Sequence, residues 1–307
     1  MNKKGGIKMA VNMESIKALR SRTGAGVLDC KKALAEVDGD VEAAVEYLRE
    51  KGIADAAKKS GRIAAEGMVN VLISDDKKSG IIVEINSETD FVAKNDKFKS
   101  LVSNVSEHLL QTDTRDIDGV LSESWYKDDN KDLKTIINEA ISTIGENINL
   151  RRLKKYNTDG FLQGYIHMGG KIGVLVDIDG EYNTENQKVA KDISMHIAAS
   201  SPEYINRQEL SEEAIEKEKN IYREQMLNEG KPEHIIDNII KGKMEKYYSQ
   251  VCLLEQEFVR DTDITVGELL EEKGLGVNSF TRFELGEGIE VEEEDFASEV
   301  MSEIEKN

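Results

Sequence analysis

The sequence predicts an α+β protein assembled from several modules, on three observations. A charged share of 33% with only 2 prolines favours helices with exposed faces. Short apolar runs bounded by turn residues read as strands. Two of those runs sit in similar surroundings, which points to a weak internal duplication. At 307 residues the chain is long enough for two or three such modules.

In chain order, Asn12 to Gly52 holds three amphipathic segments separated by TGAG (Thr23 to Gly26) and DGD (Asp38 to Asp40). Asp40 is a good cap for the third segment, and Gly24, Gly26 and Gly39 permit the turns. Ile16, Leu19, Leu28, Leu34, Val37, Val45 and Leu48 are the expected inward positions. KGIADAAKKSGRIAAEG then reads as a helical connector to a larger part.

In that larger part GIIVEIN (Gly80 to Asn86) parallels GVLVDID (Gly173 to Asp179), and LVSNVSEHL (Leu101 to Leu109) parallels VAKDISMHI (Val189 to Ile197). A further strand-like run precedes each copy, GMVNVLIS in one and GYIHMGG in the other, so two α+β lobes of strand, turn, strand and helix are implied. Fourteen residues separate Asn86 from Leu101, but only nine separate Asp179 from Val189. The five extra residues fall in a loop where Phe91 and Val92 follow Asp90, whereas the second copy has GEYNTENQK, polar apart from Tyr182. A lengthened loop carrying an apolar side chain on a shared scaffold is a candidate functional graft. The plainer reading is that Asp90 caps the helix beginning near Phe98 while Phe91 packs inward.

LKTIINEAISTIGENINLRR is helical and turns strand-like at Ile148 to Leu150. From Ser211 to Val251 two helical runs are divided at Gly230 and Pro232. Their stripes, Ala214, Ile215, Ile221, Tyr222 and Met226 on one and Ile235, Ile236, Ile239, Ile240, Met244 and Tyr247 on the other, are most simply packed together as an antiparallel hairpin. Self-association or docking is their second use. Phe296, Val300 and Ile304 make an apolar stripe in the acidic tail.

Composition excludes several function classes. The net charge of −19 argues against phosphate-backbone binding, although residues 1 to 62 carry thirteen Lys/Arg against nine Asp/Glu. Cys30 and Cys252 form no CxxC and are expected to be buried thiols, and the four histidines form no HExxH, so no metal site and no cofactor is assigned. GYIHMGGKIG has the wrong spacing for a phosphate loop, and neither GxGxxG after a strand nor GxSxG occurs, so nothing marks an enzyme. No apolar run reaches membrane-spanning length and MNKKGGIKM lacks a signal core, so the expected location is cytoplasmic.

Five motifs in order, RTGAGVLDCKKAL (Arg22 to Leu34), NSETDFVAKN (Asn86 to Asn95), IGENINLRR (Ile144 to Arg152), HIAASSPEYI (His196 to Ile205) and RFELGEGIE (Arg282 to Glu290), give the chain its resemblance to the bacterial elongation factor Ts family. The resemblance runs from about Met13 to the carboxyl end. It implies a three-helix UBA-like module at 9–54, a core N-terminal lobe at 55–147, a core C-terminal lobe at 148–288 with a coiled-coil insertion at about 206–251, and a C-terminal helical module at 289–307. It also implies a non-enzymatic exchange factor for elongation factor Tu, met in GDP-bound and nucleotide-free forms, with no direct nucleic acid or membrane contact.

On that resemblance Thr89, Asp90, Phe91 and Val92 enter the partner's GTPase domain and disturb its Mg²⁺ and phosphate site. Further partner contacts implied are Arg22, Thr23, Gly24 and Gly26 in the first module, His167 in the second lobe and Phe296 in the terminal helix. A homodimer through the hairpin, and a plain adaptor binding some other polypeptide, are the alternatives carried forward. Met1 to Lys8 lies outside the family pattern; Lys3-Lys4-Gly5-Gly6 can be encoded by a purine-rich ribosome-positioning sequence, so the cellular protein is expected to begin at Met9 or Ala10. A flexible basic extension is the alternative there.

Overall fold

In the structure, a computed structural model that describes residues 11–290, helix ends fall where the sequence supplies caps. Asn12 forms a capping box with Ser15 at the start of α1 (Met13–Thr23), and Gly24 closes it with φ 68°. α2 (Val27–Glu36) follows, then α3 (Val41–Lys59), whose cap Asp40 accepts the N–H groups of Glu42 and Ala43. Ile16, Leu19, Cys30, Ala33, Leu34 and Ala44 form the core of this three-helix unit, with Val37, Val45 and Leu48 half-buried against it.

Two expectations change here. Leu28 is 71% exposed, because α2 turns Cys30, Ala33 and Leu34 inward and Leu28 lies on the opposite side. Only Lys51 to Lys59 of the Ala/Lys-rich connector is helical, as the second half of α3, before the chain turns and enters β1 at Glu66, so the boundary expected after residue 54 falls inside an unbroken helix.

The larger part is mixed, and with 52% helix and 24% strand over the described residues the chain is α+β. Its first half runs β1 (Glu66–Ile73), β2 (Ser79–Ser87), α4 (Asp90–Lys94), α5 (Asp96–Gln111), α6 (Ile117–Leu121), β3 (Ser124–Trp125), β4 (Asp128–Asp132), α7 (Leu133–Ile144) and β5 (Ile148–Asn157). Its second half runs β6 (Phe161–His167), β7 (Ile172–Asp179), α8 (Thr184–Ser200), α9 (Glu212–Asn228), α10 (Glu233–Val251), β8 (Glu257–Phe258), β9 (Asp261–Thr265), α11 (Val266–Lys273) and β10 (Gly276–Glu284). The sheets are antiparallel, in the orders β1-β2-β5 and β10-β7-β6. Because β5 pairs with β2, it belongs to the first lobe, and the lobe boundary expected at 147/148 moves past residue 157.

The central strands are buried on both faces. Ile81, Val83 and Ile85 of β2 face α5 and α7, while Ile82 meets Val69, Leu162 and Leu175 between the two sheets. Val174, Val176 and Ile178 of β7 likewise face α8 and α11. The sheets approach closely where glycine allows it: a Cβ on Gly173 would stand 2.4 Å from Val69 Cγ1, and one on Gly164 would stand 2.7 Å from Val71 Cγ1. The four layers are therefore helix, sheet, sheet, helix.

α9 and α10 form a hairpin inserted between α8 and β8. Gly230, at φ 72°, stops the first helix, and Pro232 stands at the start of the second. Met226, Ile236, Ile240 and Met244 pack against one another as the stripes predict, but Ile221 stays exposed. Cys30 and Cys252 are buried and unpaired, and burial pushes the Cys252 thiol up to about 11. No helix among the described residues is long and apolar enough to cross a membrane. The segment Met1 to Lys8, the stripe of Phe296, Val300 and Ile304, and nearly all of the module at 289–307 lie outside the described residues.

Candidate functional site

β2 ends at Ser87, and the chain then turns sharply into α4, a helix of five residues. Thr89 is its cap: extended at φ −126° and ψ 155°, it accepts the Val92 N–H through Oγ1 at 3.3 Å. Asp90 therefore sits in the first turn and not at the cap, and α5 begins at Asp96, two residues earlier than Phe98. The plainer reading of the sequence does not hold, since Asp90 is not the cap and Phe91 does not pack inward. Val92 and Ala93 pack against the first-lobe core, while Phe91 is 81% exposed, the most exposed large apolar side chain among the described residues.

Asp90 is paired with Lys94, one turn on, at 2.7 Å. That hydrogen bond holds its carboxyl below the ordinary aspartate range against the opposing effect of burial, and the Lys94 and Lys171 charges add to it. The turn itself is held from across the lobe. Glu146 Oε2 accepts the N–H groups of Glu88 and Thr89 at 3.1 and 3.0 Å, and Thr89 Oγ1 donates to Glu146 Oε1 at 2.6 Å. In return Glu88 accepts the Asn147 N–H at 2.6 Å, and Asn147 Nδ2 donates to the Arg62 carbonyl at 2.9 Å.

The other expected contact residues divide into near and far. Thr23 and Gly24 share a groove with Asp96, Lys97 and Ser100, the first turn of α5 immediately after α4. Much of this segment is explained by its own turn chemistry: Thr23 Oγ1 donates to the Leu19 carbonyl, Gly24 takes the left-handed closing position, and Gly26 stands before α2. Arg22 forms a two-pronged pair with Glu42 at 2.5 and 2.9 Å. His167 ends β6 on the surface, with Nδ1 3.0 Å from the Tyr165 hydroxyl. Its turn reaches the α4 side through Gly170, whose carbonyl accepts the Val69 N–H at 2.8 Å, and through Lys171, which pairs with Glu66. Phe296 lies outside the described residues.

Among the described residues no group of three or more His, Cys, Asp and Glu is placed to hold a metal ion. The site offers a clamped turn, one projecting aromatic ring and one ion-paired carboxylate. Glu146, Glu88 and Asn147 were not picked out as site residues from the sequence. Their signal lay in the IGEN motif for Glu146 and Asn147 and in NSETDFVAKN for Glu88, but the pairing of Glu146 with Thr89 spans 57 positions and has no local pattern.

A model of the elongation factor Ts family matches residues 88–287. An elongation factor Ts from Halothermothrix orenii is 72% identical over 298 residues, covering 97% of this chain and 100% of the relative. Those of Clostridium novyi and Trichlorobacter lovleyi are 45% and 48% identical, each over 96% of this chain and at least 98% of their own length.

Proposed function

Because the chain belongs to the elongation factor Ts family, we propose that it binds GDP-loaded elongation factor Tu and promotes exchange of GDP for GTP through contacts made by Thr89 to Val92. The observation that carries this reading is Phe91, projecting from a helix whose base is clamped. It is a side chain that solvent alone does not favour in that position.

An exchange factor binds the nucleotide-free partner more tightly than the GDP form. An acceleration of about ten-thousand-fold needs about 5.5 kcal/mol of barrier reduction. Burying one phenylalanine supplies about 1.5 to 3 kcal/mol, so Phe91 acts together with a wider interface. Phe91 displaces packed elements near the partner's metal. Asp90, charged throughout the neutral range, leaves Lys94 and competes for the water shell and donors that position Mg²⁺.

In this reading the three-helix unit is a UBA-like module, and its exposed Met13, Val27 and Leu28 form a gripping face together with the Arg22 to Gly26 turn. The first module then ends with α3 at Lys59, and the first lobe is extended to take in β5. The β6–β7 turn with His167 reaches a second partner domain, and the terminal segment with Phe296 returns to the first. α9 and α10 form a coiled-coil arm; Ile221 and Leu227 are where self-association would start, which light scattering reads out. The chain is no enzyme in the usual sense, holds no cofactor, and works in the cytoplasm beside the ribosome.

The test is release of a fluorescent GDP analogue from elongation factor Tu on addition of the full chain. Rapid release supports the reading. Stable binding with no change in the release rate would leave the chain a plain adaptor.

A further inference from the structure

The Thr89 to Val92 segment cannot hold its own shape. A helix of five residues is far below the length at which helices are stable alone, so the direction of Phe91 has to be imposed from outside. Val92 and Ala93 anchor one side of α4 in the first-lobe core. The turn before it is held by Glu146, alongside Glu88 on the Asn147 N–H and Ser87 Oγ on the Thr89 carbonyl. We infer that Glu146 is a positioning residue for exchange: by accepting three hydrogen bonds from Glu88 and Thr89, it fixes the turn that aims Phe91. This rests on the exchange reading above and names what makes that site rigid.

Glu146 is itself well placed to act as a fixed post. α7 ends at Gly145, which takes φ 96° and donates its N–H to the Ile141 carbonyl, and β5 begins at Ile148. The residue between a closed helix end and a sheet strand has little freedom. Asn147, next to it, is buried and bonded to the Arg62 carbonyl, which ties the same corner to the end of the three-helix unit.

The second lobe supplies an internal control. α11 ends at Gly274, also left-handed at φ 62°, and β10 begins at Gly276. Leu275 occupies the place that Glu146 has in the first lobe. It is buried, and its Cδ2 lies so close to Gly180, just after β7, that a Cβ there would stand 2.4 Å away. The same corner touches the same post-strand turn in both lobes. It does so by apolar contact where the turn is short, and by a carboxylate accepting three hydrogen bonds where the turn carries the projecting ring.

The experiment uses the full chain with elongation factor Tu loaded with fluorescent GDP, comparing Glu146→Ala and Glu146→Gln in wild-type and Phe91→Ala backgrounds. Glu146→Ala should lower the maximal release rate about tenfold while shifting the half-saturating concentration less than about threefold. Glu146→Gln keeps a carbonyl acceptor for both N–H groups and should stay within about threefold of wild type. In the Phe91→Ala background, Glu146→Ala should add less than about twofold, because the group it aims is gone.

Unchanged release by Glu146→Ala, or the same loss with and without Phe91, would overturn the inference. So would a loss matched by general unfolding. Backbone hydrogen exchange of the free chain gives a readout that needs no partner: in Glu146→Ala the Val92 to Lys94 amides should exchange faster while those of α5 do not. If wild type itself fails to release GDP, the exchange reading fails, and the amide result still decides whether Glu146 orders this turn.

Discussion

Lobe one and lobe two follow one plan, apart from α4 and α6 in the first and the α9–α10 arm in the second, but they use their polar residues differently. In each, two antiparallel strands lead to a long helix, a small two-stranded ribbon, a second helix and a third strand joining the first sheet. Glu84 and Asp177 occupy matching places on β2 and β7, both facing the other sheet. Glu84 is fully buried and takes Arg151, Arg152, Asn86 and the Gly286 N–H. Asp177 is met by neutral donors, Thr158 and Asn278. His108 and His196 match in the same way. Glu123 approaches the first, while Gln256 hydrogen-bonds the second at 2.8 Å. At these two matched positions the lobe that presents the projecting ring uses charged partners, and the other uses neutral ones.

The largest expected effect tests that bracing. Glu84→Gln removes the carboxylate shared by two arginines and should cost about 3 kcal/mol in denaturant unfolding, whereas Asp177→Asn should cost about 1 kcal/mol. Burial alone would raise the Glu84 pKa, but the Gly286 N–H, Asn86 and Arg152 overcome it and leave it below 4.5. A depressed carboxyl contributes stability that is complete above the unfolded value and lost as pH falls through the folded one. The acid limb of the wild-type stability curve should therefore flatten in Glu84→Gln. Equal costs at the two positions would break the contrast between the lobes.

Next in size is the contrast between the two loops. Phe91→Ala should slow stimulated GDP release between about tenfold and a hundredfold at unchanged thermal midpoint. Tyr182→Ala, in the shorter loop where the ring packs edge-on to Phe161, should leave release within about twofold. Matching losses would detach the function from α4.

The smallest effect exchanges the histidine partners. Burial holds both imidazoles below 6.5, opposed by Glu123 at His108 and by Gln256 at His196, while Lys155 pushes His108 further down. The unfolded chain then binds more protons below pH 6.5, so stability falls as pH drops from 6.5 toward the folded values. Glu123→Gln removes the charge that favours imidazolium and should steepen that fall below pH 6.5, whereas Gln256→Glu should make it shallower. Thermal midpoints across that window decide; changes of the same sign in both variants would refute the pairing.

Much of this plan is legible before any coordinates. Asp40, Gly230 and Pro232 mark helix ends through local chemistry, and β2 and β7 stand out as apolar runs because both of their faces are buried. The loop holding Phe91 is legible from the unequal spacing of the two copies and from the NSETDFVAKN motif. The ribbons are not, since β4 reads DDNKD and β8 has two residues, too polar or too short for any alternation to register. Without them the duplication looks half its true length. Leu28 misleads because an apolar residue in an amphipathic segment is as readily a surface contact as a core one. Glu146 stays hidden because its task depends on a corner closing against a turn 57 positions away.

The α9–α10 arm leaves and rejoins the second lobe at almost one point. Tyr204 and Cys252 form a parallel bridge, Glu203 and Tyr204 both donate to the Val251 carbonyl, and Arg207 pairs with Glu245 and Glu255 while lying 4.2 Å over Tyr248. The lobe is thus stitched shut beneath the arm. Because closing a longer loop costs only about 0.6 kcal/mol per doubling, and here the closure is already made, the arm's length is nearly free of the lobe's folding. Insertions and deletions at its tip, around Glu229 to Glu233, can lengthen, trim or remove it within a lineage. The reach of the molecule can therefore evolve separately from its grip.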